Sequence, residues 1–321
     1  MFISDLDIST SVFAKDVQTG LSKSPKELSS KYFYDAIGDQ LFQDIMNMPE
    51  YYLTDAEFDI LTHHKNAILS YVRKDTFDMV ELGAGDGKKT KILLEHFLAE
   101  NADFQYRPID ISKNALTGLE GALLKSWPQL EVNGVQGDYF VALNKMRLEK
   151  EKNKLILFMG ANIGNFSKED ALQFLTRLKE EMTKDDFLFI GFDLKKDPQT
   201  ILDAYNDPAG ITSDFNLNLL QRMNNELGAN FDLSAFMHWE NYDPITGETK
   251  SFIVSRENQE VYLGCLDQSF HFDAWEAIYV ELSQKYSSAE IATLADAAGF
   301  KVVENFYDTH QYFTDSLWQI K

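Results

Sequence analysis

Between Thr76 and Lys195 short apolar runs alternate with amphipathic stretches of helical period. Phe77–Leu82 reads as a strand ending in glycines, and 88–99 as the helix after it. Phe104–Asp110 is the next strand, followed by a helix with Ser112 as its expected cap. A third strand is expected over 130–136, broken by the turn signal Asn133-Gly134. A charged segment then leads to the apolar run 154–160. Ser167 and Asp170 open a further helix to about Met182, and 187–194 is another apolar strand. Short apolar strands separated by helical patterns predict a parallel sheet covered on both faces, so the expected fold class is α/β.

Outside this stretch the rhythm differs. The first thirty residues are polar and expected to be partly loose. An aromatic segment follows, then a short helix carrying Leu41, Phe42, Ile45 and Met46. Thr54 with Glu57 has the spacing of a capping box for a second helix to about Tyr71. After Lys195 a helical stretch gives way to strands at 237–242 and Glu248–Ser255, joined by the turn Asp243-Pro244-Ile245-Thr246-Gly247. A strand over 277–286, a helix from Ser287 to Gly299 and strands over 301–307 and 312–320 complete the chain. The expected organisation is a sheet domain of 57–195 plus 286–321, and a second, smaller α+β lobe of 1–56 plus 196–285.

Composition narrows the chemistry. The chain has 321 residues and a net charge of −21, from 51 acids against 30 bases. Such a surface repels phosphate backbones and anionic lipid, so neither nucleic acid nor a membrane is an expected partner. The single Cys265 excludes an internal disulfide and a thiolate zinc cage, and fits a reducing cytoplasm. The histidines show no metal-ligand pairing, and no metal is expected. No apolar stretch is long enough to span a membrane, and no export signal is visible.

Glu81-Leu82-Gly83-Ala84-Gly85-Asp86-Gly87 stands where the first parallel strand turns into its helix. Gly83, Gly85 and Gly87 permit left-handed backbone and close approach of a ligand, at the strand ends where such sheets bind. A dinucleotide fingerprint would need its third glycine where Lys88 stands. The spacing fits S-adenosylmethionine instead. Asp110, closing the next strand, can accept both ribose hydroxyls, and Asp138-Tyr139 can receive the adenine amino group and flank its ring. Lys89 stands on the first helical turn, where a cation is disfavoured by the helix dipole unless an anion lies beside it; a cofactor carboxylate would be one, and a solvated surface lysine is the other reading.

The fourth strand ends in Met159-Gly160-Ala161-Asn162-Ile163-Gly164-Asn165. Methyl transfer from a sulfonium asks mainly for alignment of a lone pair with the carbon. The Asn165 amide oxygen can accept from a substrate amine and orient its lone pair. On the strand over 277–286, alternation sets Ile278, Val280 and Leu282 on one face and Tyr279, Glu281, Ser283 and Lys285 on the other. Facing solvent, Glu281 and Ser283 would be ordinary surface residues; facing a cleft, they would suit a substrate N–H. Tyr34, Tyr51, Tyr52 and Tyr205 add phenols at candidate edges of the second lobe.

These motifs resemble the S-adenosylmethionine-dependent L-histidine Nα-methyltransferases of ergothioneine biosynthesis. The resemblance rests on Ser30-Lys31-Tyr32-Phe33-Tyr34-Asp35, Pro49-Glu50-Tyr51-Tyr52-Leu53-Thr54 and Ile163-Gly164-Asn165. It extends to Asp203-Ala204-Tyr205-Asn206-Asp207-Pro208-Ala209-Gly210-Ile211-Thr212, Phe215-Asn216 and Glu281-Leu282-Ser283-Gln284-Lys285-Tyr286. It implies a Rossmann-like class I methyltransferase sheet with a smaller substrate-binding lobe. Gly83, Gly85, Gly87, Lys89, Asp110, Asp138 and Tyr139 would hold the cofactor, with Tyr51 close to it. Asn165, with Tyr51, would serve catalysis. Asn165 and the Gly160 backbone would engage the amine, Tyr34 and Tyr205 the carboxylate, and Glu281 with Ser283 the imidazole.

The product implied is the trimethylated betaine of histidine, made by a cytoplasmic monomer. Phe252 falls near a position where the histidine enzymes have a less bulky pocket wall, which leaves another aromatic amine, such as a tryptophan derivative, as the alternative substrate. Aminopropyl transfer would need an acid where Asn165 stands. A non-catalytic cofactor-binding or interaction protein is the alternative from another class, and Asn165, Glu281 and Ser283 argue against it.

Overall fold

The computed structural model describes residues 11–73, 76–85, 87–110, 113–149 and 152–321. The expected cap Ser112 and the loop residue Asp86 lie outside them. Packing divides the chain into two compact units, Met1–Tyr52 with Lys196–Ser283 and Leu53–Lys195 with Gln284–Lys321.

The second of these holds a seven-stranded sheet among the described residues. Its strands are β2 (Phe77–Leu82), β3 (Phe104–Asp110), β4 (Val135–Gln136), β5 (Asn153–Phe158), β6 (Phe187–Asp193), β12 (Phe300–Tyr307) and β13 (Phe313–Ile320). Their order is β12-β13-β6-β5-β2-β3-β4. β2 pairs in parallel with both β3 and β5, β5 in parallel with β6, and β13 runs antiparallel to β6 and β12. Every residue of β2 is buried, as a central strand with helices on both faces requires. Val80, Leu82, Ile156, Phe158, Leu188, Ile190 and Trp318 lie in one apolar core. Trp318 places its indole N–H on the Ser316 hydroxyl at 2.6 Å, so its burial leaves no donor stranded. The chain order reverses at β2, from which β3 and β5 lie on opposite sides, and that is where an open parallel sheet forms a crevice beyond its strand ends.

Helices α3 (Tyr52–Val72), α4 (Thr90–Ala99), α5 (Lys113–Ser126), α6 (Tyr139–Glu149), α7 (Lys168–Glu180) and α10 (Ser288–Ala298) accompany this sheet. Three expectations are corrected. α3 begins two residues before Thr54, so Glu57 is an interior, fully buried residue and not the acid of a capping box. The third strand shrinks to β4, with one isolated bridge from Val132 to Tyr106. The charged segment after Asp138 is the helix α6. At α10 the capping box between Ser287 and Glu290 has both of its hydrogen bonds, and Gly299 closes the helix in the left-handed region.

The other unit has its own core and a four-stranded sheet, again among the described residues. Its strands are β1 (Lys26–Glu27), β7 (Phe236–Asp243), β8 (Glu248–Ser255) and β11 (Ala277–Gln284), in the order β1-β11-β8-β7. β9 (Gln259–Leu263) and β10 (Gln268–Phe272) form a separate antiparallel pair. Helices α1 (Val12–Leu21), α2 (Ala36–Met46), α8 (Pro198–Tyr205) and α9 (Ile211–Leu227) complete it. α1 corrects the expectation of a loose N-terminal stretch: Ser11 caps it, and Phe13, Ala14, Val17 and Leu21 bury one face.

Candidate active site

β2 delivers the glycine loop to the switch point. Gly83, Gly85 and Gly87 have φ of +75°, +53° and +63°, which side chains other than glycine adopt only at a cost. A Cβ on Gly83 would lie 2.9 Å from the Tyr139 hydroxyl, whereas one on Gly85 would meet nothing within 4 Å. The loop is therefore closed by a phenol on one side and open at its centre, a cradle that fits a nucleoside-linked amino acid.

Asp110 stands half-buried at the end of β3, and its carbonyl accepts from Gly137 N at 3.0 Å. Burial raises the Tyr139 phenol above its ordinary pKa, and the charges of Asp110 and then Asp138 raise it further, which brings these three side chains into one neighbourhood. Asp138 Oδ1 also caps α6, accepting from Phe140 N at 2.9 Å and Val141 N at 3.2 Å. That structural task for Asp138 is not visible in the sequence pattern.

Lys89 occupies the N-cap position of α4 and is ion-paired with Glu57. Desolvation alone would depress its ammonium, but the charge and hydrogen bond of Glu57, with the charges of Asp315 and Glu81, outweigh it, and the net shift is upward. Glu57 Oε1 also accepts from Gly160 N at 2.8 Å, and a Cβ on Gly160 would lie 3.5 Å from Lys89 Nζ. The glycine loop's helix and the end of β5 thus meet at one buried carboxylate.

Gly160 and Ala161 are both left-handed, with φ of +75° and +54°, and lead into a single turn, Asn162–Asn165. A Cβ on Gly164 would come within 2.9 Å of the Gln284 carbonyl, so only glycine lets this loop sit against the Gln284 backbone. Asn165 is exposed at the end of the turn, and Ser167 is the cap of α7.

The remaining candidates belong to the other unit. Tyr34, Phe42, Tyr51, Tyr205 and Phe215 form a chain of rings, with centroids 5.6 Å apart for Tyr34–Phe42, 6.5 Å for Phe42–Tyr51 and 6.3 Å for Tyr51–Tyr205. Tyr205 is nearly enclosed, and its hydroxyl lies 2.9 Å from Ser283 Oγ. The His238 ring nitrogen Nε2 meets the Tyr205 carbonyl at 3.0 Å, which requires its proton on Nε2.

On β11 the alternation of Ile278 and Val280 against Tyr279 and Glu281 holds, then lapses where Ser283 and Gln284 are both buried. The Tyr34 phenol is pushed well above its usual value, first by desolvation and then by the charge of Glu281, so it remains a donor. Tyr279 is raised to about 12, again by burial first and by Glu281 next. Its ring lies 5.8 Å from that of Phe252, which sets Phe252 on the neighbouring strand beside this group.

A parallel sheet with this order, an antiparallel strand beside β6, and a glycine turn with carboxylates at successive strand ends define the class: an S-adenosylmethionine-dependent methyltransferase of Rossmann-like fold. The family model described as "Histidine-specific methyltransferase, SAM-dependent" matches residues 13–320, and the chain belongs to that family. It is 35% identical to the histidine N-alpha-methyltransferase of Mycobacterium tuberculosis, over 89% of this chain and 88% of that one. It is 34% identical to the enzyme of the same name from Mycolicibacterium smegmatis, over 91% of this chain and 90% of that one. Ergothioneine biosynthesis protein 1 of Schizosaccharomyces pombe is 30% identical over 88% of this chain, which corresponds to 37% of that longer protein.

Proposed function

We propose that this protein methylates the α-amine of L-histidine to its trimethylated betaine, as a cytoplasmic monomer. Membership of the histidine-specific family supports the reading. The structural observation that carries it is the buried Tyr205–Ser283 hydrogen bond two residues from Glu281, a donor–acceptor set matched to an imidazole and a carboxylate.

Gly83, Gly85 and Gly87 would cradle the cofactor's amino-acid end, with Lys89 donating to its carboxylate. Asp110 would accept from the ribose hydroxyls, Asp138 from the adenine amino group, and Tyr139 would flank the base, with Tyr51 close by. When bound, the cofactor supplies an electrophilic methyl carbon on a sulfonium, whose departure leaves a neutral thioether.

The protein's own part is alignment. In the first two transfers Asn165 accepts an amine N–H through its amide oxygen and so aims the lone pair; the dimethylated amine of the third has no N–H left and is aimed by the contacts to its carboxylate and imidazole. Gly160 has its N–H committed to Glu57, and its carbonyl is the group it can offer the amine. Tyr34 and Tyr205 donate their phenol O–H groups to the substrate carboxylate. Glu281 accepts from the imidazole N–H, and Ser283 turns its hydroxyl proton from Tyr205 to the ring's other nitrogen. Because the leaving group is neutral, a positioned acid is not required, and the amine gives its proton to solvent before attack.

The test is release of S-adenosylhomocysteine from S-adenosylmethionine with each of the twenty amino acids in turn. Histidine is expected to give the highest kcat/KM. A tenfold preference for tryptophan or any other amino acid, or release with none, would overturn the assignment.

A further inference from the structure

We propose that Glu57 is a positioning residue for methyl transfer, a buried carboxylate that holds Lys89 with one oxygen and the Gly160 backbone N–H with the other. The cofactor-binding lysine and the loop offered to the substrate amine are thereby held in one register. This rests on the roles given to Lys89 and Gly160 above.

Glu57 projects from α3 on a face otherwise made of Leu53, Ala56, Ile60 and Leu61, all buried. Packing alone would be served better there by a leucine, because a fully desolvated carboxylate is costly unless its oxygens find partners. Here each oxygen has one: Oε2 pairs with Lys89 Nζ, and Oε1 accepts from Gly160 N at 2.8 Å. The space is cleared by a glycine. A Cβ on Gly191 would lie 2.8 Å from Glu57 Oε1 and 3.1 Å from Asp315 Oδ1.

Asp315, from β13, is pushed well above its ordinary value by burial first and then by the charge of Glu57 beside it. Glu81, from β2, is raised to about 7 by burial, against the hydrogen bonds it accepts from Thr90 and Tyr106. Among these groups Glu57 is the direct partner that keeps Lys89 charged. A lysine already matched to one carboxylate binds a second through its remaining N–H donors, so its direction matters more than its net charge.

The test uses S-adenosylhomocysteine as the probe, with wild type, Glu57→Gln and Glu57→Leu compared by calorimetry. Glutamine keeps an acceptor for Gly160 N–H but removes the charge opposing desolvation of Lys89. The ratio of variant to wild-type Kd is therefore expected to rise about tenfold between pH 7 and pH 9.5, as Lys89 sheds its proton. Leucine removes both partners, and its kcat at saturating cofactor is expected to fall at least tenfold below that of the glutamine variant.

A pH-independent Kd ratio, or equal kcat for the two variants, would overturn the proposal, since a merely structural role lowers melting temperature without a pH-dependent ligand effect. Should the glutamine variant fail to fold, a titration of 13C-labelled lysines in wild type decides. Lys89 is expected to titrate above the surface lysines, and titration with or below them would overturn the pairing. Wild type that binds no S-adenosylhomocysteine would refute the proposed function itself, and a flat ratio with normal wild-type binding refutes only the role of Glu57.

Discussion

Replacing Tyr205 by Phe removes one hydroxyl and leaves the ring beside Tyr51 in place. In the structure that hydroxyl and Ser283 Oγ are 2.9 Å apart, and both residues are only 8% exposed. A phenol and a serine hydroxyl each donate once, so with histidine bound Tyr205 can turn its proton to the carboxylate while Ser283 turns its own to the imidazole. Without ligand, the loss is one neutral buried bond, about 1 kcal/mol of stability. With ligand, the loss is a hydrogen bond to a charged group, about 1.5–3 kcal/mol, or roughly a 10- to 150-fold rise in histidine KM. Initial rates with histidine varied at saturating cofactor measure the second quantity, and thermal unfolding measures the first. The S-adenosylhomocysteine Kd should not move. An unchanged histidine KM with the same loss of stability would make Tyr205 a packing residue and refute the reasoning. A cofactor Kd that rises as much as KM would refute it as well.

Glu281→Ala should weaken histidine binding by at least tenfold, read by calorimetry, and leave the S-adenosylhomocysteine Kd within twofold, roughly the scatter of an interaction that was never made. The rate at subsaturating histidine should rise about tenfold per pH unit on the acidic side of the amine's pKa, because only the neutral amine attacks, and the raised Tyr34 phenol stays a donor through this range; a flat profile from pH 6 to pH 9, with chemistry rate-limiting, would contradict that. Glu290 is held at about 2 against an ordinary 4.5: burial would raise it, but hydrogen bonds from Lys168, Ser287 and Lys195 outweigh burial. A depressed carboxyl stabilises the fold above its unfolded value and ceases to as pH falls from 4.5 toward 2, so Glu290→Gln should cost about 1–2 kcal/mol at pH 7, after allowance for its partial exposure, and almost nothing near pH 2. Urea unfolding at the two pH values reads this difference.

The sheet was legible where local pattern and tertiary role agree. The runs Phe77–Leu82 and Phe104–Asp110 are strands over those same residues, because each is bounded by turn-forming or polar residues and has no competing helical period. The α1 helix was readable in principle from Ser11 and the spacing of Phe13, Val17 and Leu21, but the polar character of the segment as a whole masked its amphipathic face. The α6 segment has scattered apolar positions and no clear stripe, so its charge dominated the reading. Glu57 shows the limit most clearly. Its spacing from Thr54 imitates a local cap, while its partners are 32 and 103 residues away in sequence, and no local signal reports such a pairing. The task of Asp138 as the cap of α6 was hidden for a related reason, since the helix it caps was not expected.

The central claim is that the α-nitrogen of histidine is the atom alkylated. Histidine labelled with 15N at the α-position, incubated with the protein and S-adenosylmethionine, can be followed by fragmentation mass spectrometry. The expected product carries all its added methyl groups on the labelled nitrogen and ends at the trimethylated betaine. Methyl groups found on the imidazole, or labelled histidine recovered unchanged while the cofactor is consumed on another amine, would contradict the account.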